Sequence, residues 1–234
     1  MLLFLFLISI VLSIPGVQTR LAKTVTKSLK NSFDTDIVIK KVDLSFLGRV
    51  RLKGVEIRDH HQDTLIFVEK LSTSLQNVKK IIDSDVNLGS VSLDGVHFYM
   101  KTYKEEENDN FSIFINKFDT NTPKDSLTPE FVLKTKNIYA NNLSFKILDE
   151  NKENSLSFGI ANAGGSLSDF KVQGPNVYAN IRGLYFTENN GLEVTSLTTD
   201  FEYTTSYMSL KKTKIETKTS AINAEIKLLY KRED

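Results

Sequence analysis

The chain has 234 residues, with 30 Lys+Arg against 29 Asp+Glu, a formal net charge of +1, 40% hydrophobic residues and no Cys or Trp. That charge balance excludes a nucleic-acid binder held by phosphate neutralisation, which carries a large basic excess, and the lack of Cys excludes disulfides, thiol nucleophiles and thiolate metal sites. The length suits one or two domains, or a piece of a repeating array.

Residues 1–14, MLLFLFLISIVLSI, form an apolar run interrupted only by Ser9 and Ser13. A membrane-spanning helix needs about 20 such residues, and a cleaved signal peptide needs a basic start and a small-residue cleavage site. The run is too short for the first. It also lacks both marks of the second, since nothing basic precedes Leu2 and the exit reads Ser13-Ile14-Pro15-Gly16. It reads as a membrane anchor whose first residues are missing, with an atypical uncleaved signal or a buried core helix as the alternatives.

Residues 15–34 predict a basic amphipathic helix. Val17, Leu21, Val25, Leu29 and Phe33 recur every four residues, while Arg20, Lys23, Lys27 and Lys30 take other positions. Beside an anchor this helix lies in the membrane interface with its four cations near anionic headgroups; the alternative is a helix that caps a sheet edge. Basic residues flanking an anchor favour the cytoplasmic side, which weighs against export of the rest.

Residues 35–234 are dominated by period-two alternation in short runs separated by Gly, Asn and Asp, the pattern of half-buried antiparallel strands. Val42, Leu44 and Phe46 alternate with Asp43 and Ser45; Val50 and Leu52 flank Arg51, and Val55 and Ile57 flank Glu56. Val96, Phe98 and Met100 form a third run, Leu143, Phe145 and Ile147 a fourth, and Ile222, Ala224, Ile226 and Leu228 a fifth. Helical spacing recurs only in the stretch 76–83, QNVKKIID, so crossover helices for parallel units are missing and the sheet is expected to be antiparallel.

A short motif repeats along these strands. Leu52-Lys53-Gly54-Val55 is echoed by Ile181-Arg182-Gly183-Leu184, and more weakly by Leu93-Asp94-Gly95-Val96 and Ala140-Asn141-Asn142-Leu143. Gly or Asn before the apolar residue suits a bulge or kink that bends the strand, and the recurrence favours an open array of hairpins. Residues 104–110, KEEENDN, and 119–129, DTNTPKDSLTP, read as solvated loops.

Catalytic motifs are absent: there is no GxSxG, HExxH or GxxxxGK[ST]. His60 and His61 lie in a turn between Ile57 and Leu65, where neighbouring side chains point apart, so a metal site there needs ligands from elsewhere. Neither an enzyme, a cofactor nor a metal site is expected.

An apolar anchor ending in Ile14-Pro15-Gly16, a basic helix and a ladder opening with residues 38–46, VIKKVDLSF, resembles the start of TamB proteins of the AsmA-like group, in their Bacteroidetes form. The likeness continues through residues 50–59, Asp63-Thr64-Leu65 and residues 91–96. The resemblance implies an inner-membrane-anchored, periplasm-facing protein whose strands curl into an apolar groove of the β-taco kind. It also implies phospholipid transfer toward the outer membrane, outer-membrane protein assembly with a barrel partner, no nucleic acid and no catalytic residues. A carboxy-terminal domain expected in a full member is missing, so the chain reads as an amino-terminal part.

The fold expected is therefore mainly β: antiparallel repeating strands curled into an open apolar groove, behind an anchor and an amphipathic helix. The candidate lining is Val42, Leu44, Phe46, Val50, Leu52, Val96, Phe98, Met100, Leu143, Phe145, Ile147, Ile222, Ile226 and Leu228, and the membrane-surface candidates are Arg20, Lys23, Lys27 and Lys30. An ordinary closed core, a scaffold that binds protein by strand addition at residues 222–228 and a closed lipocalin-like barrel are the rivals.

Overall fold

The structure is a computed structural model, and it describes Lys23 and residues 36–44, 49–74, 85–117 and 132–229. The anchor, most of the amphipathic helix with Arg20, Lys27 and Lys30, the stretch 76–83 and Phe46 lie outside the described residues. Lys23 is helical and exposed. Among the described residues, no helix is long and apolar enough to cross a membrane.

Among residues 36–229, the described residues form eleven strands and one helix in the order β1 (Asp36–Leu44), β2 (Arg49–Arg58), β3 (Thr64–Ser74), β4 (Asp85–Leu88), β5 (Val91–Thr102), α1 (Asn110–Asn116), β6 (Val132–Asp149), β7 (Leu156–Gln173), β8 (Asn176–Glu188), β9 (Glu193–Tyr203), β10 (Tyr207–Thr217) and β11 (Ala221–Leu229). They build one open sheet in the order β1-β2-β3-β5-β6-β7-β8-β9-β10-β11, with β4 beside β6. The two ends do not meet, so the described residues form no closed barrel.

The expectation of a wholly antiparallel sheet is corrected at one step. β5 runs parallel to β6, from Val91 opposite Ile138 to Thr102 opposite Asp149, and β4 continues the same register from Asp85 opposite Val132. β4 and β5 are thus two parts of one line, bent at Gly89-Ser90, where the Thr135 hydroxyl donates to the Gly89 carbonyl at 2.7 Å. A parallel step needs a connection that returns the chain to the starting edge. The connection here is residues 103–131, and it contains the helix that the alternation pattern does not reveal.

That helix, α1, begins where an acidic loop is expected. Asp109 caps it, accepting from the Ser112 backbone N–H at 2.8 Å and from its hydroxyl at 2.7 Å. Its apolar residues Phe111 and Ile115 face the sheet: Ile115 is buried, and the Phe111 ring lies 5.1 Å from Phe98 on β5 and 5.9 Å from Tyr203 on β9. The Phe98 and Tyr203 rings are therefore at most about 11 Å apart, on strands that a flat sheet sets about 19 Å apart at four interstrand steps. The sheet curls, and α1 sits in its concavity.

The repeated motif explains how an oily face survives this curvature. Gly54, Gly95, Gly183 and Asn142 have φ of 60°, 66°, 60° and 54°, and Asn162, Asp169 and Lys212 share the conformation within their strands. One left-handed residue in an extended chain interrupts the two-residue alternation. Positions two before it and one after it then share a face. Leu52 and Val55, three apart around Gly54, accordingly share a face and pack in one cluster with Ile39 and Val42, which stand opposite Val55 and Leu52 on β1. Register places Gly95 opposite Asn142, since Asp94 pairs with Asn141 and Val96 with Leu143. These residues form a crease across the sheet.

Candidate functional site

The two faces of the sheet differ sharply. On the convex face, Lys70 pairs with Asp94 at 3.1 Å, Arg182 and Lys212 with Asp200 at 3.1 Å each, and Lys211 with Glu202 at 3.2 Å. Donation from Asn142 and then Lys70 lowers the Asp94 carboxyl below its ordinary pKa, and Arg182 and then Lys212 do the same for Asp200. His97 stacks on Phe67 at 6.1 Å and shares a 2.6 Å hydrogen bond with the Ser144 hydroxyl. This face is solvated and screened.

The concave face carries the apolar rows. One row runs Ile57, Ile66, Phe98, Phe145 and Ile160 through successive strand pairs. A second runs Val55, Val68, Val96, Leu143 and Ala163. Phe98 and Phe145 are 5.1 Å apart and Phe145 and Phe158 6.3 Å, so the aromatic stripe continues onto β7. Beyond it, the buried Thr199 and Thr213 hydroxyls hydrogen-bond each other at 2.9 Å, and Thr199 donates to the Lys211 carbonyl at 3.0 Å. Satisfied in this way, they occupy an otherwise apolar floor at little cost.

Most of the predicted lining falls on this face. Val42 and Val50 are buried, and Leu52 packs against Val42. Val96, Phe98 and Met100 stand opposite Leu143, Phe145 and Ile147, and all three are half-buried. Leu44 pairs with Val50 in register. Ile222, Ile226 and Leu228 stand in register with Ile215, Leu210 and Met208, but they are 56%, 37% and 49% exposed. They form the uncovered margin of the concavity, where β11 is an edge strand.

Alternation alone misses several core residues. Leu65 is 0% exposed although Ile66 beside it pairs with Ile57. It is the extra residue of a bulge between Ile57 and Arg58, which lets two adjacent side chains point the same way. Phe111 is missed because its signal is a capped helix turn, readable from Asp109 and Ser112 only once a helix is sought there.

At one end of the curl a polar knot ties three segments together. The Asp59 carboxylate accepts from the Tyr103 hydroxyl at 2.7 Å, the Asn110 amide at 2.8 Å, and the backbone N–H of His61 and Asp63 at 2.9 and 3.0 Å. Asp59, Tyr103 and Asn110 are all buried. Burial on its own raises the Asp59 carboxyl, and the donors outweigh it, led by Asn110 and Tyr103, so it lies below its ordinary value. Burial first, then hydrogen bonds to Asp59 and Asp63, push the Tyr103 hydroxyl up, so it remains a neutral donor.

No protein-family model matches the sequence, and no curated protein matches it either.

Proposed function

We propose that the concave face is a groove that shields lipid acyl chains in an envelope protein of the TamB and AsmA-like kind. In this reading the chain is anchored in the bacterial inner membrane with its sheet in the periplasm, and it passes phospholipid toward the outer membrane. The observation that carries the reading is the uncovered margin formed by Ile222, Ile226 and Leu228, in register with apolar side chains of β10. An oily face left in water is unfavourable, and each methylene it covers contributes about 0.8 kcal/mol. An acyl chain supplies many methylenes, and a sheet open along one side leaves a headgroup solvated.

The test is native mass spectrometry of the full chain purified in detergent from a bacterial membrane, with lipid extraction. Phospholipid is expected to co-purify, and the exposed-site double variant Ile226→Asp/Leu228→Asp is expected to lose at least half of it while keeping its β-sheet circular dichroism. Phe98→Asp, placed deeper, is expected to lose lipid and some stability together. A folded, lipid-free wild-type chain defeats the reading.

A second reading is a non-enzymatic scaffold for outer-membrane protein assembly, in which the free edge of β11 captures a barrel partner by strand addition. It is favoured by eight of the nine β11 residues being exposed, since an unprotected edge strand invites pairing. Two variants separate the readings: deleting residues 221–234 ends partner capture, whereas Phe98→Asp, remote from the β11 edge, loses lipid and leaves partner capture intact.

A further inference from the structure

Two loops distant in sequence converge at the polar knot. His60 and His61 occupy the β2–β3 turn, and Glu106 lies between β5 and α1. Neighbouring histidines are expected to diverge, yet both rings turn to one carboxylate. The His60 Nε2 lies 2.9 Å from one Glu106 oxygen and the His61 Nε2 2.6 Å from the other. The turn makes this possible, because Gln62 takes a left-handed φ of 67° and its N–H closes on the Asp59 carbonyl at 3.1 Å.

We infer that His60, His61 and Glu106 form a binding site for a divalent transition-metal ion of the zinc type, which staples the β2–β3 turn to the β5–α1 loop. The ligand atoms all lie within 4.8 Å of one another. A tetrahedral ion with bonds of about 2.0–2.1 Å separates its ligands by about 3.3 Å, so side-chain rotations of about 1 Å convert the hydrogen-bonded trio into a coordination set. Two imidazoles and one carboxylate suit zinc-type ions, and a fourth position toward solvent stays open to water. Binding replaces the imidazole protons now directed at the carboxylate.

The supports behind the ligands are fixed before any ion arrives. The His61 backbone N–H is held by the buried Asp59, and the His61 ring packs 3.8 Å from the Tyr103 ring. On the other loop, the Asn151 amide donates to the carbonyls of Tyr103 and Glu106 at 3.2 and 3.1 Å, and its oxygen accepts from the Glu105 N–H at 2.8 Å. Ligands whose backbones are locked by other side chains lose little freedom on binding, which is how an outer shell raises metal affinity.

Isothermal titration of the full chain in detergent with zinc chloride tests this. One ion per chain is expected, with a zinc-dependent rise in melting temperature. Glu106→Gln and His61→Asn each weaken binding at least tenfold, and His97→Asn, far from the site, leaves it unchanged. Calcium or magnesium at equal concentration does not displace zinc, because both prefer all-oxygen ligand sets. Absence of saturable one-to-one binding, equal binding by the Glu106 and His61 variants, or displacement by calcium each overturns the assignment.

Discussion

Replacing Gly95 by Val is expected to lower the stability of the sheet by about 3 kcal/mol, the combined effect of left-handed backbone strain and a steric clash. Gly95 has φ of 66°, and a Cβ there stands 2.8 Å from the Glu69 Cβ and 3.0 Å from its carboxylate oxygen. The neighbouring strand must shift to admit it. Gly183 offers the control, because it has φ of 60° but nothing within 4 Å of where a methyl group would stand. Gly183→Ala therefore carries only the conformational penalty, about 1 kcal/mol. Asn142→Gly relieves the same strain but gives up the amide hydrogen bond to Asp94 at 2.6 Å, and it is expected to stay within about 0.5 kcal/mol of the parent. Urea melts of the three variants give the ranking. In an ordinary flat strand Val is favoured over Gly, so a Gly95→Val protein as stable as its parent contradicts the crease.

Asp59→Ala is the second large effect, expected at about 3 kcal/mol, because it leaves the buried Asn110 amide and two backbone N–H groups short of an acceptor and the Tyr103 hydroxyl with Asp63 alone. Asp59→Asn preserves shape but turns an amide toward donors, so it is destabilised as well, and it no longer titrates. The sign of the pH dependence follows from the lowered carboxyl. A group whose folded pKa lies below its unfolded value of about 3.9 stabilises fully above that value, and the contribution fades as pH falls through the folded pKa. The stability difference between parent and Asp59→Asn is therefore constant above about pH 5 and shrinks below about pH 4. A difference that stays level down to pH 2 in paired denaturant melts means that the Asp59 charge contributes nothing.

The metal staple and the Asp59 knot share an end of the molecule but separate cleanly by experiment. Asp59 variants act on stability without zinc, whereas Glu106→Gln, on a partly exposed side chain, acts on zinc binding with little change in the metal-free melt.

The strand ladder was legible because half-buried strands must alternate, and little in residues 36–229 offers enough helical spacing to compete. The kinks were legible too: Gly54, Gly95, Gly183 and Asn142 stand out as small or turn-forming residues before an apolar one, and all four are left-handed. Asn162, Asp169 and Lys212 adopt the same conformation outside that repeated motif. Asn and Asp tolerate it locally, whereas Lys has no such preference, so at Lys212 it is the adjoining creased strands that impose the bend.

What the sequence determined by itself is local: strand identity, the oily face of each strand, and the positions where alternation must reset. These follow from side-chain direction and backbone preference, which act over a few residues. Only the tertiary structure decided that β5 and β6 run parallel, that α1 fills the concavity through Phe111, and that Glu106 meets His60 and His61 across 46 and 45 residues. Each of these joins segments far apart in the chain. Such pairings depend on where the whole backbone travels, and residue spacing carries no record of it.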